Sequence, residues 1–353
     1  MTCPAPLSEP VPEASLEALV YRTLGAETSG EIAEAMPRLV QDLADIDGRL
    51  AQVLGATYPQ LTEAARYACS SGGKRVRPLL MAATARALGA ESTAPILSLA
   101  AAFQLIHTAS LVHDDVIDHA EMRRGRQSMP RAFGLPTAIV TGDYLFVRAF
   151  ELAADYTKSI ILRCGEACAD LVEGEVLQDT SRFDLTTGRE HYFRVIERKT
   201  AAIVAAALAS VAEITGAAPA VVDACSTYGK ALGIAFQIRD DLLDVYGDAD
   251  LLGKPLYSDL REGNPTLVSL EAYARLDGAQ KVEFERIFAL RRKAPGDLLR
   301  LRALTDQTGA PQHVAEEASR WAERAVRALE PIPPSPYHAL LASSARGAAA
   351  RRF

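Results

Sequence analysis

Apolar side chains return three and four positions apart from about Ser15 to Phe353, set among repeated Ala, Leu, Glu and Arg with few clustered β-branched residues. That period marks one face of an α-helix, and these residue types are strong helix formers. The expected fold class is therefore all-α. Helices are expected over 31–53, 59–70, 75–88, 92–118, 137–155, 158–180, 188–214 and 219–246, with several more from 267 to the C-terminus. Ser70, Gly72 and Gly73 break the pattern before a basic run, Pro130 to Pro136 interrupt a polar stretch, and Gly247 to Pro255 open a loop. No linker is long enough to demand a domain division, so 1–353 reads as a single helical domain. PIPPSP at 331–336 is expected to set the last helix apart from the body, and the terminal RGAAARRF to fray.

Charge narrows the partners. The 353 residues carry 38 Lys plus Arg against 45 Asp plus Glu, a formal net charge of -7, so nucleic acid is not an expected partner. Five scattered cysteines, an odd number, do not form a disulfide framework and suit a reducing, cytoplasmic setting. Cys164 and Cys168 share a helical face, but no second pair or suitably placed histidine completes a zinc site. The start, MTCPAPLSEPVPEAS, lacks a positive segment followed by an apolar core, so 1–14 reads as a disordered lead-in and not as a signal peptide. TAAIVAAALASVA at 200–212 is too short to span a bilayer and runs into Glu213. No transmembrane span is expected.

Two acidic clusters carry the candidate chemistry. In LVHDDVIDHAEMRRG, a helix places Asp114 and Asp118 one turn apart on the same face, beside Asp115. In FQIRDDLLDVYGD, Asp240, Asp241 and Asp244 repeat the arrangement amid Phe236, Ile238, Leu242, Leu243 and Val245. Crowded carboxylates need protons or cations, and their hard oxygens suit Mg²⁺. Either cluster alone is explained by a solvated charged face; two of them beside basic segments point to metal binding. Carboxylates by themselves also fit a nuclease, a phosphatase or a di-iron bundle. The last would favour paired Glu-x-x-His ligands, to which neither His107 nor His113 belongs.

Cationic groups accompany both clusters. SGGKRVRPLL puts Lys74, Arg75 and Arg77 after Gly72 and Gly73 at a helix start, where exposed amides and cations receive phosphate, although the spacing is not that of a Walker loop. Arg123 is a candidate partner for a metal-bound diphosphate and Arg124 for a second phosphate; Arg126 reads as merely exposed. Lys199 and Lys254 are candidates to stabilise charge on a departing diphosphate, with Thr200 and Gln237 as neutral donors.

GGKRVRP at 72–78, DDVID at 114–118, RRG at 123–125, GDYL at 142–145, EGEVLQ at 173–178, KT at 199–200, FQIRDDLLD at 236–244 and GKPLYSDLREG at 253–263 together resemble the trans-isoprenyl diphosphate synthase, or polyprenyl synthetase, family. The resemblance is direct over roughly 72–268. It implies the isoprenoid synthase fold, a helical bundle around a central cavity, and usually a homodimer. It implies that Asp114, Asp115, Asp118, Asp240, Asp241 and Asp244 bind Mg²⁺, which holds an allylic prenyl diphosphate. It further implies that isopentenyl diphosphate contacts Gly73, Lys74, Arg77, His107 and Arg124. Arg123, Lys199, Thr200, Gln237 and Lys254 would serve the allylic substrate, with His113 as support beside Asp114. Gln127, Pro130, Tyr257 and Asn264 depart from common family wording around loops.

The implied reaction is a Mg²⁺-assisted condensation of an allylic diphosphate with successive isopentenyl diphosphates, without a covalent protein intermediate. Ala109, five residues before Asp114, matches a product-length position of the family and leaves space for a growing chain. The wording FQLIHTASLVHDDVID and EGEVLQ resembles octaprenyl-type members. The expected product is C30 to C50, with C40 favoured and transient membrane contact at its release. The alternatives are a geranylgeranyl or other short-chain synthase, a terpene cyclase, and a non-catalytic regulatory partner.

Overall fold

The computed structural model describes residues 30–70, 75–248 and 255–351. They form α1 (Gly30–Val53), α2 (Pro59–Ser70), α3 (Val76–Ala87) and α4 (Leu97–Ile117). A two-stranded hairpin, β1 (Met122–Arg123) with β2 (Arg126–Gln127), leads into the short α5 (Met129–Phe133). Then come α6 (Leu135–Ala153), α7 (Lys158–Thr180), α8 (Gly188–Ile196), α9 (Ala202–Ile214) and α10 (Pro219–Tyr246). The chain closes with α11 (Ser258–Glu262), α12 (Leu267–Arg275), α13 (Gly278–Phe288), α14 (Pro295–Asp306), α15 (Ala310–Ala328) and α16 (Pro336–Ala350). The all-α expectation holds. Helix starts follow local chemistry: the side chains of Thr157, Thr266 and Ser335 accept the amides of Ile160, Ser269 and His338, satisfying donors the helix leaves unpaired.

Two long helices organise the packing. α4 is buried nearly all round and lies along α6, while α10 packs against α9 on one side and α15 on the other. Gly229 and Gly233 let α10 approach closely: an added Cβ would stand 2.8 Å from Ala205 Cα or 2.7 Å from Ala201 Cα. One apolar core gathers around α1, α3, α4, α6 and α9, and a second around α8, α10 and α12 to α15. By length and composition the segment Ala94–Ile117 would cross a membrane, but 72% of its apolar window is buried inside the protein, which makes it a core helix. Within the first core, Arg86 makes a two-pronged contact with Asp42 at 2.6 and 3.0 Å, and Thr93 adds a hydrogen bond to the same carboxylate.

Three local features differ from the sequence expectation. The run 188–214 is not one helix: Glu197–Ala201 forms a π-helical turn between α8 and α9. Opposite it, Gly174 of α7 leaves room for the widened backbone, since a Cβ there would stand 2.6 Å from Lys199 N. The polar stretch after α4 folds back as the hairpin, with Arg124 and Gly125 at φ 51° and 75°. Finally, α16 is not set apart by the proline-rich segment, which instead turns the chain back. Leu340, Leu341 and Ala345 are fully buried, and α16 packs on α1, α3, α10 and α15. The terminal RGAAARRF does not fray through 351, because the helix continues to Ala350 and Arg351 turns inward. The expected lead-in at 1–14 lies outside the described residues.

Candidate active site

Both acidic clusters sit in or beside the last turns of long helices, Asp118 capping α4 and the others within the C-terminal ends of α4 and α10. A helix C-terminus carries partial negative charge, so carboxylates placed there are unfavourable unless a cation answers them. The two ends meet at one cavity of about 840 Å³, lined by Asp114 and Asp118 from α4, Asp240 and Asp241 from α10, and Asp259 and Glu262 from α11.

Each lining carboxylate has a distinct environment. Burial, with Glu175 and Asp118 adding to it against the opposing Lys199, pushes Asp114 up to about 6. Asp118 accepts a 2.7 Å bond from Arg182. Asp240 accepts one of 2.9 Å from Arg351, whose guanidinium lies 3.9 Å from the centre of the Phe236 ring. Asp241 accepts bonds from Tyr192 Oη at 2.7 Å and Gln237 Nε2 at 2.8 Å. Burial, then the Asp259 charge, holds its carboxyl well above the usual range. Burial, then Asp118 and Asp259, pushes Glu262 up to about 7.

Two of the six aspartates expected to hold metal do not line this cavity. Asp115 is 2% exposed and faces Arg123, which contacts it through Nε at 2.8 Å and Nη2 at 2.5 Å. Asp244 is fully buried and accepts the amides of Ser258 and Asp259, each at 3.1 Å, while its carbonyl accepts Tyr257 N at 2.8 Å. Asp115 thus anchors the hairpin and Asp244 caps α11. These are positions to which each carboxylate is drawn by a fixed cation or by exposed helix amides.

The cationic residues line the same cavity. Arg75, Arg77, Arg123, Arg124 and Lys199 all reach it, together with His107, Thr200 and Gln237. Burial and then Arg124 bring Arg77 down to about 10. Burial, then Arg77, Arg124, Arg123 and Arg75, push His107 well below its ordinary value, so its ring is neutral at pH 7. The Thr200 hydroxyl donates to Gln237 Oε1 at 3.1 Å, continuing the chain that ends on Asp241. Lys199 also contacts Glu175. The π-helical turn carries Lys199 and Thr200, and so re-aims both side chains relative to a regular helix. Gly73, Lys74 and Lys254 lie outside the described residues.

Ala109 is fully buried and is not among the residues lining this cavity. His113 packs against α6, with Nε2 3.2 Å from the Ile139 carbonyl. It occupies the space that a Cβ on Gly142 would need, 2.1 Å from its Nε2, which accounts for the glycine in GDYL. Of the four departures noted in the sequence, Gln127 uses its carbonyl to accept the Tyr67 hydroxyl, and Pro130 starts α5. The Tyr257 hydroxyl accepts a bond from Arg302, and Asn264 Nδ2 bonds Asp259 and Glu262. Sequence reading missed Arg182, Arg351, Tyr192 and Glu262. The only signal was their charge or polarity, since Arg182 meets Asp118 across 64 positions and Arg351 meets Asp240 across 111.

The donor set fits a hard divalent cation. The lining is oxygen-rich, and the carboxyl groups of Asp114, Asp241 and Glu262 are pushed up by burial and then by neighbouring carboxylates. Among the described residues no three metal-binding side chains converge on one point. Such a cation would therefore complete its shell with water or phosphate oxygens, as Mg²⁺ commonly does. The same cavity is also lined by Leu80, Leu111, Leu171, Val204, Leu232 and Phe236, which suits an apolar tail on a charged head group.

Comparison with known proteins agrees with this geometry. Residues 58–304 match the polyprenyl synthetase family. The octaprenyl diphosphate synthase of Escherichia coli (strain K12) is 34% identical over 85% of this chain and 93% of its own length. The structure of a decaprenyl diphosphate synthase from Rhodobacter capsulatus superposes with a TM-score of 0.85 at 35% identity, covering 91% of this chain and 98% of the other. A Caulobacter crescentus polyprenyl synthase complexed with calcium and isoprenyl diphosphate gives 0.86 at 34% identity, over 93% and 100% of the two chains. With its isoprenoid synthase fold and its facing acidic helices, the chain belongs to the polyprenyl synthetase family and is a prenyl diphosphate synthase.

Proposed function

We propose that this enzyme is a Mg²⁺-dependent trans-polyprenyl diphosphate synthase that extends an allylic diphosphate with successive isopentenyl diphosphates to a C30 to C50 product, C40 being favoured. The supporting observation is the single cavity in which acidic residues of α4 and α10 face Arg77, Arg123, Arg124 and Lys199 above an apolar wall. The names of relatives, octaprenyl and decaprenyl, favour a long product.

Asp114 and Asp118 on one side of the cavity and Asp240 on the other would hold Mg²⁺ without all three meeting on one ion, and the metal when bound supplies positive charge that neutralises the allylic diphosphate. Arg123 and Lys199 line the cavity toward that same head group, and Lys254 is assigned to it from the sequence resemblance alone. Their charge stabilises the diphosphate as its bond to C1 breaks and the allylic fragment becomes cationic. Thr200 and Gln237 orient it as neutral donors. Arg77, Arg124 and the neutral His107 bind the second diphosphate, with Gly73 and Lys74 as sequence candidates beside them. Held by Arg77, Arg124 and His107, the isopentenyl substrate has its double bond placed to attack C1. A proton then leaves the adduct for the released diphosphate, closing the new trans double bond. The apolar wall keeps water from capturing the cation.

Two structural features accompany this reading. The packed helices α4 and α6 both bury small residues, Ala101, Ala102 and Ala109 on α4 and Ala138, Gly142 and Ala149 on α6. Their packing offers a route along which a chain is accommodated without displacing large side chains. The outward side of α6 exposes Ile139, Val140, Val147 and Phe150, and α7 exposes Leu162, Val172 and Val176. Exposed large apolar side chains of this kind suit a homodimer interface.

The decisive measurement is turnover of purified protein with Mg²⁺, isopentenyl diphosphate and dimethylallyl, geranyl, farnesyl or geranylgeranyl diphosphate in turn. Linear diphosphates of C30 to C50 are the expected products. Cyclic hydrocarbon, or no turnover, would overturn the proposal, and arrest at C20 would move the chain to the short-chain group. Ala109→Phe is expected to shorten the product, and an unchanged distribution by chromatography would reject its gatekeeping role.

A further inference from the structure

The hairpin between α4 and α5 presents Arg123 and Arg124 to the cavity, yet it is only two residues deep on each strand. An isolated two-stranded hairpin is marginal in water. Its turn adds a conformational cost, because Arg124, a side-chain-bearing residue, adopts a left-handed φ of 51° ahead of Gly125 at 75°. Something outside the hairpin must hold that conformation.

One strand is tied from the α4 side by the contact of Arg123 with Asp115. The other strand is tied by Arg126, an exposed residue that the sequence alone leaves without a role. Its guanidinium lies 4.3 Å from the centre of the Tyr67 ring, and Nη1 donates to the Ser70 carbonyl at 3.2 Å and the Ser70 hydroxyl at 3.3 Å. Ser70 is the last residue of α2, where a cation also complements the negative end of the helix. The Tyr67 hydroxyl returns a 2.8 Å bond to the Gln127 carbonyl, and the Tyr67 ring is backed edge-on by Phe133 at 5.1 Å. The ring, the helix end and the hairpin strand form a clasp opposite the Arg123–Asp115 tie.

We infer that Arg126 is a positioning residue: by clasping β2 to Tyr67 and the end of α2, it holds Arg124 in place for the diphosphate of the isopentenyl substrate. Arg123 pairs with Arg126 across the hairpin but keeps its own tie to Asp115, so the allylic side retains an anchor when the clasp is broken. The inference rests on the assignment of Arg124 to the second diphosphate under the proposed function.

The test is steady-state kinetics of Arg126→Ala, with each substrate varied at saturating concentrations of the other. The KM for isopentenyl diphosphate is expected to rise roughly two- to five-fold, the scale of an exposed cation–π contact, while kcat and the KM for the allylic diphosphate stay near wild type. Tyr67→Leu should reproduce the effect, and the double variant should add little to either single change because both break one clasp. Arg126→Lys, which keeps the charge but loses the flat fork, should fall between. The inference is overturned if Arg126→Ala leaves the isopentenyl KM unchanged, raises both KM values together, or acts additively with Tyr67→Leu. If instead the wild-type protein fails to consume isopentenyl diphosphate, the proposed function itself is at fault; turnover by the wild type with an unaltered Arg126→Ala rejects the clasp alone.

Discussion

Asp240 and Asp244 belong to one acidic motif and one helix, yet their surroundings separate them. Asp240 lines the cavity beside Arg351, whereas Asp244 caps α11 with its carboxylate. Asp240→Ala is therefore expected to lower kcat at least roughly a hundredfold, on the scale of lost charge stabilisation at a reacting group, with little change in melting temperature. Asp244→Ala is expected to destabilise by about 1 kcal/mol, as for loss of a helix cap, measured by denaturant unfolding. Away from the site, Asp42→Ala strands the buried Arg86 and should cost about 3–5 kcal/mol in the same assay. Lys293 gives a pH signature: burial lowers it from 10.5 to about 8, with its ammonium 4.9 Å from the Phe183 ring centre. The folded protein thus releases this proton more readily than the unfolded chain. The associated destabilisation is present below pH 8 and is relieved as pH rises from about 8 to 10.5. Lys293→Met should remove that rise from the melting-temperature profile. The acidic and basic residue types were legible in sequence, because short motifs carry them; Arg182 and Arg351 were not, because each reaches its aspartate only through the fold.

At the scale of elements, helix existence and most boundaries followed from apolar period and capping chemistry. The long segments 158–180 and 219–246 begin and end where sequence places them. The π-helical turn at Glu197–Ala201 was not legible, because its cause lies on a neighbouring helix. Gly174 of α7 admits the widened backbone, and Gly233 of α10 admits Ala201 on the other side. Gly174→Ala is accordingly expected to destabilise by about 1–3 kcal/mol through overpacking and to lower kcat by shifting Lys199. Calorimetric melting and single-turnover kinetics would measure the two effects. The last helix was misread as detached for a related reason: the proline run marks a turn, but only tertiary contacts decide whether the chain after a turn leaves or returns. Leu340 and Leu341 bring it back into the core.

For the whole molecule, the arrangement brings two negative helix ends to one space and sets arginines and a lysine around them. The exposed apolar face of α6 and α7 is the corresponding feature on the outside. For the proposed homodimer through this face, Val147→Glu is expected to shift sedimentation to monomer by charging it, while the cavity residues keep their contacts. The amino-acid sequence by itself determined the all-helical class and the charged groups of the short motifs, because these depend on local period and residue chemistry. Only the tertiary structure decided which aspartates face the cavity and which cap or anchor, and that Arg351 reaches the second acidic cluster. Those outcomes depend on how helices distant in the chain pack and on where their backbone amides and cations fall.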